Sequence, residues 1–343
     1  MNQRSAGFGL GTFSIAGCAP FGALVLGEQA VALAALEPLA RSLGARLTGT
    51  ASVLDLLRDW DANLEGLTRV AAALADERTV SGAPCRDSLV DLSLLRAHPP
   101  VHLPRQVLCS GANYRQHVID LIVDQGDPEC RDMSPEERRA YGTRLMDQRA
   151  TTGAPFFFAK LPSAITGPHD PIVLAESARQ PDWELELGVV IGRPTYQVSR
   201  AQALDAVAGY TIVNDISNRG LLYRTDVKGL GADWIACKSA PSYLPTGPLL
   251  VPRMFVPDPQ ALRITLKLNG ETMQDESTAD MIFDIARLIE HASHYSRLLP
   301  GDLICTGSPA GNGTHYNRFL RPGDVVEGAI TGLGIQRNIC VAV

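Results

Sequence analysis

The chain has 343 residues, 45% hydrophobic and 20% charged, with a formal net charge of −6, the balance of a globular protein with enough apolar mass for a sizeable core. That acidity, with no basic run or Arg-rich stripe to offset it, excludes nucleic acid as the main partner and points to small molecules. No apolar stretch approaches the roughly 18 residues of a membrane span, and MNQRSAGFGLGTFSIAGCAP lacks the layout of an export signal, so a cytoplasmic protein without a membrane partner is expected.

Residues 1–100 read as a small N-terminal domain. Strand-like GLGTFSIAG and FGALVLGEQAVAL precede a helical pattern, ASVLDLLRDWDANLEGLTRVAAALA, and no reactive cluster occurs among them. Pro99, Pro100 and Pro104 in LLRAHPPVHLPRQ disfavour helix and mark a linker. The second domain, 101–343, is mainly β, with short runs such as PIVLA, WELELGVVIG, YTIVNDIS, RITLKLNG, DLICTG, DVVEGAI and RNICVAV between Gly, Pro, Asn and Asp. Helices interrupt it at SRAQALDAVAGY and at STADMIFDIARLIEHASHYSRLL, where Ser277 or Thr278 is the expected cap. The fold class is α+β, neither a βαβ repeat nor a Rossmann unit. Between 120 and 154 lies a polar insertion whose Ser134, Pro135 and Glu137 form a capping box with a first-turn proline; a short lid-like helix is expected there.

The seven cysteines, Cys18, Cys85, Cys109, Cys130, Cys237, Cys305 and Cys340, are odd in number and never in a CxxC pair, which fits reduced thiols. His291 and His294 share a helical turn but have no third ligand motif around them, so they read as helix surface.

The chemically unusual segment is QPDWELELGVVIGRP, residues 180–194, a core strand that carries Glu184 and Glu186. Alternate side chains of a strand share a face, so the two carboxylates lie side by side, opposite Trp183, Leu185 and Leu187. Like charges in a partly buried place need a cation between them or a proton on one of them. Asp215, at the end of YTIVNDIS, is a third carboxylate where strand becomes loop, although Asn-Asp there is also ordinary turn chemistry. In CSGANYRQHVID, His117 and Asp120 are spaced i, i+3 at a helix opening, as a general base with its carboxylate or as a surface ion pair. Lys160 and Lys238 follow apolar runs, either as snorkelling stems or as cations facing an anionic substrate. ICTGSPAGNG joins a strand to a glycine-rich loop whose amides can hold a carboxylate, with hydroxyls at Thr306 and Ser308.

In order along the chain, GANYRQH, FFFAKLPSAITGPHDPI, DWELELGVVIGR, GYTIVNDISNR, WIACKS, LNGETMQDESTADMIF, LLPGDLICTGSPAGNG and RPGDVVEGAITGLGIQRN resemble the fumarylacetoacetate hydrolase family from about residue 105 to 343. The resemblance implies a mixed β-roll catalytic domain beside a small N-terminal α/β domain, and a homodimer. It implies that Glu184, Glu186 and Asp215 bind a divalent cation, usually Mg²⁺, with Mn²⁺ or Ca²⁺ also suited to hard oxygen ligands. It further implies that His117 and Asp120 form a water-activating dyad with Lys238 near the metal. Tyr114, Lys160, Thr306, Gly307 and Ser308 would contact a small ketonic acid or diketone.

The activity implied is hydrolytic carbon–carbon cleavage of a β-diketone or acylpyruvate-type substrate through a metal-stabilised enolate. Decarboxylation or keto–enol tautomerisation on the same site is the alternative, and a non-catalytic ligand-binding relative or a purely structural ion is a third. Departures bear on substrate. Relatives usually continue N-D-[VI]-[ST]-A-R-D-x-Q, whereas Gly220 stands here for the second Asp and the Gln is missing; CKSAP stands where G-K-S-F-D is usual. An altered substrate pocket and a less common, bulkier ketone are expected.

Overall fold

Runs rich in β-branched and aromatic residues, punctuated by turn formers, fold into sheets because their side chains fit a pleated, half-buried surface. The computed structural model describes residues 7–76, 88–125, 128–226 and 228–343; Cys85 therefore lies outside the described residues, and the other six cysteines are free thiols. The fold is mixed α+β and sheet-rich, with three large sheets.

The first sheet has five antiparallel strands in the order Val90–Asp91, Gln29–Ala32, Phe21–Leu26, Gly9–Ser14 and Arg96–His98. Its Gly9–Ser14 strand is tied to the rest of the chain by reciprocal backbone bonds of 2.8 Å between Leu10 and Leu250. The second, six-stranded, runs Val251–Pro252, Val207–Asn214, Leu185–Ile191, Leu303–Cys305, Val107–Gly111 and Phe156–Ala159. The third orders Glu271–Ser277, Arg263–Leu268, Val325–Ile330, Gly334–Ala342 and Ile172–Leu174. Leu185 packs on Gly328 of this third sheet, which leaves Glu186 pointing the other way. One apolar cluster, including Leu24, Leu67, Leu187, Ile212 and Leu266, runs beneath all three sheets.

Several elements differ from the sequence expectation for local reasons. The helical pattern over 51–75 folds as two helices, Val53–Leu57 and Trp60–Ala75, with Asn63 turning its amide back to Leu56 O (2.7 Å) and Thr48 O (3.0 Å) at the joint. Ser277 caps only a 3-10 turn, Thr278–Asp280, and the long helix starts at Ile285 behind Asp284, whose side chain accepts from Arg287 N. SRAQALDAVAGY is helical only to Ala206, after which Val207–Asn214 is strand. In the insertion, the capping box at Ser134 and Glu137 is present, but the helix it opens, Pro135–Thr152, is 18 residues rather than short.

The third sheet approaches the glycine-rich loop most tightly at Gly311. Gly311 has φ +92°, and a Cβ there would stand 2.0 Å from Met273 O in the Glu271–Ser277 strand. Gly323 has an almost identical φ of +91° with open space around it. Gly311→Ala should therefore lower Tm by at least about 5 °C and Gly323→Ala by clearly less, in parallel thermal melts. Equal losses would mean that backbone conformation alone, not the contact with Met273, fixes this position.

Candidate metal centre and active site

The Leu185–Ile191 and Val207–Asn214 strands pair with Leu185 opposite Asn214 and Glu186 opposite Val213. The pairing is carried one residue further by Asp215 N–H donating to Glu184 O (2.8 Å), while Asn214 Oδ1 accepts from Glu184 N (2.9 Å). This clasp brings together the carboxylates that the sequence separates: Glu184, Glu186 and Asp215 each offer an oxygen within 4.8 Å of the others, and all three residues are buried.

Three cations converge on them from distant segments. Lys160, just beyond the Phe156–Ala159 strand, donates to Asp215 Oδ1 (2.5 Å), Ile216 O (3.0 Å) and Tyr243 O (2.6 Å). All its donors are used inside the protein, so Lys160 holds Asp215 in place rather than facing outward as the expected substrate contact. Lys238, at the end of the Trp234–Lys238 helix, donates to Asp215 Oδ2 (2.5 Å) and Glu184 Oε1 (3.2 Å), and its ammonium sits 5.1 Å from the centre of the Phe158 ring. Arg219 pairs with Glu184 and donates from Nε to Asp182 Oδ2 (3.0 Å). Asp182 in turn accepts from Gly313 N (2.5 Å) and Thr314 Oγ1 (3.0 Å), anchoring the loop that follows the glycine-rich segment.

The two strand glutamates experience opposite fields. Burial by itself raises the Glu184 carboxyl, but Arg219, Lys238 and the Ser217 hydroxyl, which donates at 2.7 Å, outweigh it and bring the pKa down to about 2. Among the described residues Glu186 accepts only Gly307 N–H (2.7 Å), and burial with Asp215 beside it pushes its pKa well up. If all are ionised, Asp182, Glu184, Glu186 and Asp215 exceed Lys160, Lys238 and Arg219 by one negative charge. Buried, closely spaced hard oxygens, one of them short of positive partners, suit a divalent cation of the Mg²⁺, Mn²⁺ or Ca²⁺ type.

The glycine-rich loop is fixed around this centre. Thr306 Oγ1 donates to Leu187 O (2.9 Å), and Ser308 Oγ accepts from Gln274 Nε2 (2.9 Å), so both hydroxyls are engaged within the protein. Asn113 Nδ2 donates to Thr306 O (2.9 Å) and its Oδ1 accepts from Phe283 N (2.9 Å). Tyr114 is fully buried, and burial together with nearby Glu186 raises its hydroxyl pKa. His117 and Asp120 both lie on the Arg115–Gln125 helix. His117 is half-buried and close enough for the charges of Glu184, Arg219 and Lys238 to act on it; burial is the main cause that takes its pKa down to about 4. Asp120 Oδ1 accepts from Gln116 Nε2 (2.7 Å) and Arg139 (3.2 Å), and among the described residues no hydrogen bond joins it to His117. Its charge still favours the imidazolium.

Sequence reasoning missed Arg219, Asp182 and Ser217. Asp182 carried a signal, since it extends the i, i+2 row of Glu184 and Glu186 by one place, and Arg219 stands in the same quoted segment as Asp215. Asn113 and Gln274 carried none, because their role is to satisfy backbone groups of a distant loop.

The fumarylacetoacetate (FAA) hydrolase C-terminal family model matches residues 106–341. The chain belongs to the fumarylacetoacetate hydrolase family. It is 43% identical over 187 residues to the 2,4-didehydro-3-deoxy-L-rhamnonate hydrolase of Sphingomonas sp. (strain SKA58), across 54% of this chain and 64% of that relative. It is 35% identical over 255 residues to an oxaloacetate tautomerase of Bacillus subtilis (strain 168), across 73% of this chain and 74% of the relative. Among solved structures it is similar to maleylpyruvate hydrolase from Sphingobium sp. SYK-6 in complex with manganese(II) and pyruvate, at 25% identity and TM-score 0.66, covering 97% of this chain and 99% of that one. Family membership thus includes hydrolases and tautomerases, and a fold relative that carries a divalent metal.

The internal bonding of Lys160 makes it a structural cation of the centre. Lys160→Met would leave Asp215 Oδ1 and two buried carbonyls without a donor, and should cost about 3–5 kcal/mol in chemical denaturation. An unchanged unfolding midpoint would show that Lys238 alone suffices for Asp215.

Proposed function

We infer that the protein is a metal-dependent hydrolase that cleaves a carbon–carbon bond in a β-diketone or acylpyruvate-type 2-oxo acid. The observation that carries this reading is the buried triad of carboxylates flanked by the ammonium of Lys238, with His117 close enough for the charge of Glu184 to act on it. A divalent cation held by Glu184, Glu186 and Asp215 would supply the Lewis-acid charge that polarises the ketone oxygens and receives the substrate's carboxylate end.

The remaining steps belong to the chain. With a pKa near 4, His117 is neutral at physiological pH and its free ring nitrogen can take a proton from water as the water oxygen bonds to the distal carbonyl carbon. The carbon–carbon bond breaks, its electron pair passes into the enolate of the departing 2-oxo acid, and the imidazolium returns the proton to that carbon. Lys238 offsets the growing negative charge, while Lys160 and Arg219 keep Asp215 and Glu184 from shifting. Water is consumed, and two acids or an acid and a ketone are released.

Tautomerisation is a second reading, favoured by one observation: Asp120 hydrogen-bonds to Gln116 and Arg139 rather than to His117. A lone imidazole moves a proton between carbon and oxygen without a dyad to strengthen it against water.

Products decide. Incubation of acetylpyruvate with protein and Mn²⁺, analysed by mass spectrometry, should give acetate and pyruvate, and EDTA should abolish both. His117→Ala and Glu186→Gln should each lower kcat/KM by about 100-fold or more, Glu186→Gln also weakening Mn²⁺ binding in titration calorimetry. Unchanged mass with exchange of the C3 proton would make the protein a tautomerase. The base assignment also has a pH signature. Because His117 must be unprotonated to act and its pKa is lowered, kcat/KM at saturating metal should stay level from about pH 8 to about pH 6 and fall only on approach to about 4. A midpoint near the ordinary histidine value would mean that the working imidazole is solvated.

A further inference from the structure

The Phe156–Ala159 strand and Lys160 lead outward from the metal centre with a regular change of chemistry. Side chains at 160, 158 and 156 share one face of the strand. Lys160 bonds Asp215, Phe158 lies under the Lys238 ammonium at 5.1 Å, and Phe156 is 45% exposed. Four residues of extended chain span about 13 Å, so this row runs from the carboxylate triad to the surface.

The Trp234–Lys238 helix repeats the arrangement. Trp234 and Lys238 are i, i+4 on one helix face. Trp234 stacks on Phe158 at 4.5 Å with the ring planes 11° apart, and meets Phe156 at 5.6 Å, while the next residue, Ile235, is 60% exposed. The result is a continuous apolar wall beginning at the Lys238 ammonium. Its outer end depends on Gly111 in the neighbouring strand, where a Cβ would stand 2.8 Å from Phe156 Cδ1; glycine lets the ring lie flat across that strand. Between Phe156 and Ala159 and along the helix, no charged side chain other than Lys238 is present, and Lys160 beyond is committed to Asp215. Arg224, beside Trp234 and Ile235, is already paired with Asp226 and Asp233, so the wall would strip water from a hydrocarbon more readily than it would receive a second carboxylate.

We propose that Phe156, Phe158, Trp234 and Ile235 form the subsite for an apolar alkyl or aryl group on the distal acyl carbon of the substrate. The proposal rests on the metal-dependent ketone reading above and narrows it from oxo acids in general to those with one polar end and one hydrocarbon end.

The test uses 2,4-dioxo acids carrying a methyl, propyl, pentyl or phenyl group beyond C4, with the full-length protein and saturating Mn²⁺. Both Kd by titration calorimetry and kcat/KM from product formation are measured. The wall predicts a gain of about fourfold in affinity and in kcat/KM for each methylene it covers, levelling off when the tail reaches Phe156. Phe156→Ala and Ile235→Ala, both at exposed positions, should flatten that slope, each lowering kcat/KM for the pentyl compound several-fold more than for the methyl compound. Affinity that climbs with tail length while no acids form would sustain the wall and sink the cleavage reading. Cleavage of all four compounds at one kcat/KM would do the reverse. If Phe156→Ala instead halves the sedimenting mass and leaves the tail dependence intact, the wall is a subunit contact and the proposal is overturned.

Discussion

The confinement of negative charge dominates this molecule. Two strands end in step so that Glu184, Glu186 and Asp215 share one buried place, and an unpaired carboxylate there would cost several kcal/mol. Three cations answer it, and each arrives on a different element: Lys160 beyond an edge strand, Arg219 on a 3-10 turn, and Lys238 at a helix end. Such a network adds little net stability compared with an apolar core, because desolvation cancels much of the attraction. What it does is fix positions. Asp215 is gripped from both oxygens, Glu184 takes Arg219, Lys238 and Ser217, and among the described residues Glu186 is left with a single backbone amide. The carboxylate least neutralised by protein is thus the one that an added cation would stabilise most.

The site was legible in the sequence wherever a local rule forced an anomaly. Two glutamates at i, i+2 in an apolar strand violate burial preferences, and their meaning follows from the period of a strand alone. Asp182 obeys the same period and was available by the same reasoning. Partnerships were not legible, because they are set by register and by loops far away in sequence: nothing in FFFAKLP says that the lysine bonds Asp215 and two carbonyls instead of reaching substrate. For the same reason Thr306 and Ser308 read as substrate hydroxyls, whereas the structure spends one on Leu187 O and the other on Gln274.

The fold shows the same division. Strand runs such as LELGVVI and VAGYTIVN are apolar throughout because both faces are covered, and they were recognisable from composition. Glu271–Ser277 is polar at most positions and gives no such signal, yet it forms the outer strand of the third sheet, pairs with Arg263–Leu268 and supplies Gln274 to the loop. Helix breaks followed side-chain competition for backbone groups rather than propensity. Asn63 at the joint near residue 58 and Asp284 as the working cap are choices that tertiary contacts make among several residues able to fill the role.

In the proposed function, hydrolysis and tautomerisation share most of these residues, and the difference between them reduces to where His117 finds its proton. Removing one from water requires a base whose conjugate acid is stabilised as the water attacks, and a carboxylate bonded to the ring would provide that. Asp120 is on the correct helix and its charge reaches His117, but its oxygen is held by Gln116 and by Arg139 of the Pro135–Thr152 helix. Through Arg139 the polar insertion is tied to Asp120 by a specific contact and is not a detached surface segment. Burial lowers the pKa of His117, while Asp120 is bonded to Gln116 and Arg139 rather than to the imidazole. Those two features pull in different chemical directions, toward a readily available imidazole and toward one that is weakly supported, and in the proposed function the balance between them decides between hydrolysis and tautomerisation.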